Sequence, residues 1–151
     1  MRANDAKVDV WWSLMSAHAV LAERVGRDLA AATSLPLGSY NLLRLLHEAR
    51  DGRVRLSELA KAVHLTRSGV TRSANRLERA GLLRREEHSL DRRGSCAVLT
   101  DRGRDQLRRA RTVFARAIAE HFGNYLSDGE AETLSAILSR IVKTESGADY
   151  Q

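Results

Sequence analysis

The residues most capable of chemistry lie close together in the middle of the sequence: Arg67, Ser68, Thr71, Arg72, Asn75 and Arg76. Separations of three, four and seven place most of them on one face of a helix, where guanidinium, hydroxyl and amide groups can donate to an anion. An arginine at such a site offers two parallel N–H donors, a geometry that suits a phosphate or the O6/N7 edge of guanine. A second group, Asp91, Arg92 and Arg93, precedes Gly94 in a stretch with turn chemistry. Charge is distributed to match. Residues 53–116 hold 17 basic side chains against seven acidic ones, a surplus of +10 in a chain of formal net charge +6, so the flanks together carry −4. A basic middle between mildly acidic ends is the electrostatic footprint of a polyanion-binding module held by a separate scaffold. The plain alternative is compositional bias, an arginine-rich helix face that is merely solvated.

The elements that must position these groups follow from periodicity. From Val8 onward apolar residues recur every three or four positions (Trp11, Leu14, Met15, Leu21, Val25, Leu29), predicting a long amphipathic helix over 8–33 that stops before Ser34-Leu35-Pro36. A second helix after Gly38 carries Leu42, Leu43, Leu45 and Leu46 nearly all round, which predicts burial, and Asp51-Gly52 closes it. Arg53-Val54-Arg55 alternates and reads as a lone strand. A short helix capped by Ser57 follows, burying Leu59, Ala60 and Val63. After His64-Leu65, Thr66 caps a further helix running to Ala80, with Gly81 as its left-handed stop. On that helix Val70, Ala74 and Leu77 share the face opposite Ser68, Thr71, Arg72 and Asn75. Two short helices joined by a tight turn, the second opening on hydrogen-bonding residues, make a helix-turn-helix. Residues 82–86 and 95–99 read as two strands joined through Asp91-Arg92-Arg93-Gly94, a β-hairpin with arginines at its tip. Thr100 caps a helix running from Asp101 to near Tyr125, and Ser127 with Glu130 forms a capping box for a last helix carrying Leu134, Ile137, Leu138, Ile141 and Val142. The expected fold is mainly α with a small β-hairpin wing. It is one domain, 1–151, with a winged helix-turn-helix part at 38–100 and long N- and C-terminal dimerisation helices at 8–33 and 101–145.

Other chemistries find little footing. One Pro, ten Gly and one Cys, with 43% hydrophobic and 29% charged residues, describe a helical globular domain. No run approaches the roughly 20 apolar residues of a membrane helix, and MRANDAKVDVWW lacks the apolar core of a signal peptide, which predicts a cytoplasmic protein without membrane attachment. Patterns of the G-x-x-x-x-G-K, H-E-x-x-H and G-x-S-x-G types are missing, so no catalytic residue and no cofactor is expected. His18, His47, His64, His88 and His121 show no close ligand spacing and Cys96 stands alone, so no metal site is expected either. On a strand, Cys96 reads as a small hydrophobe rather than a thiol sensor.

Residues 56–103 closely resemble the MarR family of bacterial winged-helix regulators. The likeness rests on Val70-Thr71-Arg72, on R-L-E-x-x-G-L from Arg76 to Leu82, and on Asp91 and Arg93 followed by Leu99, Thr100 and Gly103; the flanking helices agree in order and length over about 8–142. Ala97 stands where the family commonly has Val. The resemblance implies an obligate homodimer in which the first helix and the last two interlock. An all-intramolecular core is the alternative, but stripes holding Trp11, Trp12, Phe114, Ile118, Phe122, Leu134 and Ile141 offer more apolar surface than a compact winged helix covers. It further implies a sequence-specific regulator, a ligand-responsive repressor bound to double-stranded DNA at a pseudo-palindromic operator. Arg67, Ser68, Thr71 and Arg72 then read base edges, and Asn75 and Arg76 hold phosphates. Arg93 enters the minor groove, Asp91 positions it or pairs with Arg76, and Arg92 contacts the backbone. The family's small aromatic or phenolic effectors bind in a cleft bordered by the first two helices, where Trp11, Trp12, His18, Tyr40, Arg44 and His47 lie; these six read alternatively as core or interface residues. Two competing functions are a winged helix that binds a protein and an architectural DNA binder with little sequence preference. The first would want apolar residues where Ser68, Thr71, Arg72 and Asn75 stand.

Overall fold

The computed structural model of the chain describes residues 2–62, 67–87 and 95–145. Its elements are α1 (Arg2–Thr33), α2 (Leu37–Glu48), β1 (Arg53–Arg55), α3 (Leu56–Ala62), α4 (Arg67–Arg79), β2 (Leu83–Glu87), β3 (Ser95–Leu99), α5 (Asp101–His121), a 3-10 turn (Gly123–Tyr125) and α6 (Asp128–Glu145). The architecture is the expected one, mainly helical with a small antiparallel sheet, and it differs from expectation in informative places.

Helix α1 starts at Arg2 rather than Val8. The apolar period begins at Val8, but Ala3, Ala6 and Lys7 are good helix formers and extend the helix without an amphipathic stripe. Its end is built from side-chain and backbone bonds. Thr33 Oγ1 donates to the Leu29 carbonyl at 2.6 Å, Ser34 turns to φ +58, and Pro36 opens α2 from an extended conformation. Strand β1 is not a lone strand. It pairs antiparallel with β3, Val54 opposite Ala97, and β3 pairs on its other side with β2, Arg85 also opposite Ala97, giving the order β1-β3-β2. Central β3 is buried from Cys96 to Leu99, and Ala97, fully buried, fits between the flanking strands. Ser57 does not cap α3: the helix begins at Leu56, directly out of β1, and leaves Ser57 exposed inside its first turn. Thr66, His64, Leu65 and Val63 lie outside the described residues.

Three other local signals hold. Gly81 has φ +70 and ends α4 with the Leu82 N–H bonded to the Leu77 carbonyl at 2.9 Å and its own N–H to Glu78 at 2.9 Å, the paired bonds of a left-handed helix stop. Thr100 caps α5, accepting from the Gly103 N–H at 3.0 Å while donating to the Gly81 carbonyl at 2.8 Å. Ser127 and Glu130 close the box at the start of α6, the Ser127 N–H donating to Glu130 Oε2 at 2.9 Å and the Glu130 N–H to Ser127 Oγ at 3.4 Å. Helix α5 ends at His121, and the stretch to Tyr125 continues as the 3-10 turn.

The core lies where α2, α4, α5 and the sheet meet: Leu29, Leu42, Leu43, Leu46, Leu59, Leu77, Leu83, Leu99 and Leu107 are all at most 2% exposed. At about 1.5–3 kcal/mol for each such side chain removed from water, this cluster is the main stabilising force of the domain. Helix α6 stands apart from it. None of its residues is buried, and no other described element packs extensively against it.

Candidate nucleic-acid interface

Helix α4 is anchored through Val70, Ala74 and Leu77, all at most 2% exposed, against α2, α3 and β2. The opposite face carries Ser68, Thr71, Arg72, Arg76 and Arg79, all exposed, and Arg67 is the first residue of the helix. Of these predicted contact residues, the structure therefore brings Ser68, Thr71, Arg72 and Arg76 onto one solvent-facing surface. Asn75 is half-buried and faces β2, where its side-chain oxygen accepts from Arg85 Nη2. Its carbonyl is thus engaged within the chain, and its amide group remains the part able to meet a phosphate.

The electrostatics divide the arginines into two sets. Three of the four on the sheet are paired: Arg53 and Arg84 both reach Glu86, Arg84 at 2.6 Å, and Arg85 Nε lies 3.4 Å from Glu78 Oε2 besides its bond to Asn75, while Arg55 on β1 forms no ion pair among the described residues. Arg72, Arg76 and Arg79 on α4 form no ion pair among the described residues. A paired guanidinium must leave a carboxylate to bind an anion, whereas an exposed unpaired one need only shed its counterions. The free cationic row is therefore on the helix and not on β2 beside it. Asp91, Arg92 and Arg93 lie outside the described residues. The ladder that leads to them runs to Glu87 opposite Ser95.

The six residues expected around a ligand cleft are not gathered in one place. Trp11 and Trp12, 55% and 63% exposed, stand with exposed His18 on the first half of α1. Tyr40 is buried and stacks on Phe114 of α5, ring centroids 4.6 Å apart. Arg44, one turn along α2, grips both oxygens of Glu48 at 2.9 and 2.8 Å, and His47 is exposed. Burial pushes the Tyr40 phenol above its ordinary 10.0 against the opposing pull of the Arg111 and Arg44 guanidiniums. Sequence reasoning missed Arg85, Phe114 and Arg111 in these roles because each acts on a residue distant in the chain, and no local spacing signals it. It also missed the His121–Asp28 hydrogen bond between α5 and α1, Nε2 to Oδ2 at 2.7 Å.

A half-buried helix pair whose second member turns a polar, cationic face outward, followed by a three-stranded sheet, defines a winged helix-turn-helix protein. The family model described as MarR family matches residues 35–95. Sco3205 of Streptomyces coelicolor, a MarR family transcriptional regulator solved in complex with DNA, is 31% identical; the match covers 93% of this chain and 92% of that one, with a TM-score of 0.82. A putative transcriptional regulatory protein for the hcr operon of Thauera aromatica is 30% identical over 120 residues, 80% of this chain and 70% of its own length. The transcriptional repressor YetL of Bacillus subtilis is 31% identical over 108 residues, 72% of this chain and 64% of its own length. The chain belongs to the MarR family and is a DNA-binding transcriptional regulator. Among the described residues no helix is long and apolar enough to cross a membrane.

Proposed function

We propose that the protein is a ligand-responsive repressor that binds a pseudo-palindromic operator as a homodimer, and that it works by binding rather than catalysis. The observation that carries the reading is the row of exposed, unpaired arginines on α4, beside strand β2 whose arginines are paired. Sco3205, solved in complex with DNA, supports DNA binding, and YetL, named a repressor, supports the direction of the regulation. In this reading 38–100 is the DNA-binding part, with Arg67, Ser68, Thr71 and Arg72 on base edges, Arg76 and the Asn75 amide on phosphates, and Asp91, Arg92 and Arg93 on the wing. The helices of 8–33 and 101–145 pair the two copies.

Exposed apolar side chains support the homodimer. Ile137, Ile141 and Val142 on α6 are 40%, 49% and 60% exposed, and the groove between α1 and the end of α5 is lined by Val20, Leu21, Phe122 and Tyr125. A helix with no buried residue gains nothing from folding against its own chain, so a second copy is the natural cover. For the effector, the Tyr40–Phe114 stack with Arg44 and Arg111 nearby has the chemistry to hold an aromatic anion or phenol, while Trp11, Trp12, His18 and His47 belong with the exposed surface that a partner copy meets. A ligand favouring a dimer whose two α4 helices mismatch the half-sites would lower operator affinity by its differential binding to the two states.

Fluorescence anisotropy on fragments selected from genomic DNA by the purified protein tests the reading. Affinity is expected to fall with salt at a log-log slope of about −0.9 per neutralised phosphate. Arg72→Ala is expected to relax preference at one base position by about 1–3 kcal/mol, and Arg93→Ala to weaken binding with the dimer intact. Equal affinity for selected and random duplex would refute sequence-specific recognition.

A further inference from the structure

The geometry points to a site for one divalent transition-metal ion formed by Asp28, Glu120 and His121, between the later part of α1 and the last turn of α5. One ligand atom from each of these side chains lies within 4.8 Å of the other two. Consecutive side chains on a helix diverge by about 100°, so the convergence of Glu120 and His121 on Asp28 does not follow from their adjacency. It results from how α5 crosses α1. His121 is well shielded, its side chain 17% exposed, and Asp28 is 41% exposed. The Glu120 carboxylate has no hydrogen-bond or ion-pair partner among the described residues. The exposed Glu120 carboxylate therefore stands within 4.8 Å of an imidazole already bonded to Asp28, a concentration of negative charge that a cation would relieve.

The donor set selects the kind of ion. One imidazole nitrogen and two carboxylate oxygens neutralise a dication, and the nitrogen favours zinc, cobalt or nickel over magnesium, calcium and manganese. Metal–ligand bonds of about 2.0–2.2 Å put tetrahedral donors roughly 3.4 Å apart. The 2.7 Å between Asp28 Oδ2 and His121 Nε2 is a hydrogen bond; exchanging its proton for a metal requires the two atoms to separate by well under an ångström. His121 also borders a cavity of about 660 Å³ lined by Leu21, Phe122 and Tyr125, which Asp28 and Glu120 do not line. Arg24 is the cation on its wall; it is exposed and forms no ion pair with Asp28. A bound ion would tie α1 to α5 at the point where α5 gives way to the 3-10 turn, and so fix the angle between two scaffold helices.

The test uses the full chain, stripped with a chelator and titrated with cobalt(II), read by its visible d–d bands, and with zinc by calorimetry. One equivalent per chain is expected, with no displacement by excess magnesium. Glu120→Gln, at a side chain without contacts that folding needs, should weaken binding by more than about tenfold, and His121→Gln should do the same, while His18→Gln and Cys96→Ser bind as the unaltered chain does. Absence of binding, or binding that Glu120→Gln and His121→Gln leave unchanged, overturns the site. DNA takes no part in the measurement, so the result stands apart from the operator reading.

Discussion

Replacing Gly103 with alanine should separate the scaffold helix from the sheet. Gly103 is buried in the first turn of α5, with its N–H bonded to Thr100 Oγ1. A methyl group on its Cα would fall 2.0 Å from the Leu82 carbonyl oxygen and 2.7 Å from Leu99 Cδ1, where ordinary contact begins at 3.4 Å. Leu99 can turn aside, but the carbonyl cannot, because it belongs to backbone held by the Thr100 N–H at 3.3 Å. Relief therefore demands that α5 lift by more than an ångström. Overpacking of this kind costs about 1–3 kcal/mol, with the upper end expected against backbone. Alanine returns up to about 1 kcal/mol of helix propensity, leaving a net loss near 2 kcal/mol. In a chain of this length that is a fall in Tm of about 4–8 °C, read by calorimetry at one fixed protein concentration so that association does not shift the midpoint. Gly129 is the internal control: it sits in the first turn of α6 with no atom within 4 Å of an added Cβ, and Gly129→Ala should be neutral or slightly stabilising. A Gly103→Ala protein as stable as the parent would show that the close approach of α5 to Leu82 is not a constraint.

The capping box gives a pH-dependent test. Hydrogen bonds from the Ser127 hydroxyl and N–H hold the Glu130 carboxyl below its ordinary 4.5, so its support of α6 is complete above pH 4.5 and lost as pH falls through the lower folded value. Far-ultraviolet dichroism should show α6 fraying in that acid range, and Ser127→Ala should remove about 1 kcal/mol of cap at neutral pH together with the acid-specific step. At the alkaline end, Tyr40 with its raised pKa supports the fold fully below pH 10.0 and loses that support as pH rises beyond it; a phenolate titration that showed Tyr40 ionising below 10.0 would contradict its burial. Ile141→Ser combined with Val142→Ser should yield single subunits in sedimentation with the α2–α4 core still folded, whereas an intact dimer would place the interface elsewhere.

The helices and the wing were legible because the signals that make them act within a turn or two of chain. The capping bonds of Thr100, Gly81 and the Ser127–Glu130 box each close within five residues of chain, although Thr100 also donates to the distant Gly81 carbonyl, and the buried row of Val70, Ala74 and Leu77 follows from helical spacing alone. Ser57 misled for a local reason too: β1 runs straight into α3 at Leu56, leaving no separate cap position for it. Gly103 was visible as part of a motif, but the reason for it, a carbonyl 2.0 Å from where a Cβ would stand, was not. The polar row on α4 and its apolar reverse were thus dictated by the order of residues. Which arginines are engaged, which strand β1 joins, and that Asp28 meets Glu120 and His121 were decided by how helices cross and strands register, since charges and donors far apart in the chain become neighbours only once the core of Leu29, Leu42, Leu77 and Leu107 has set those angles.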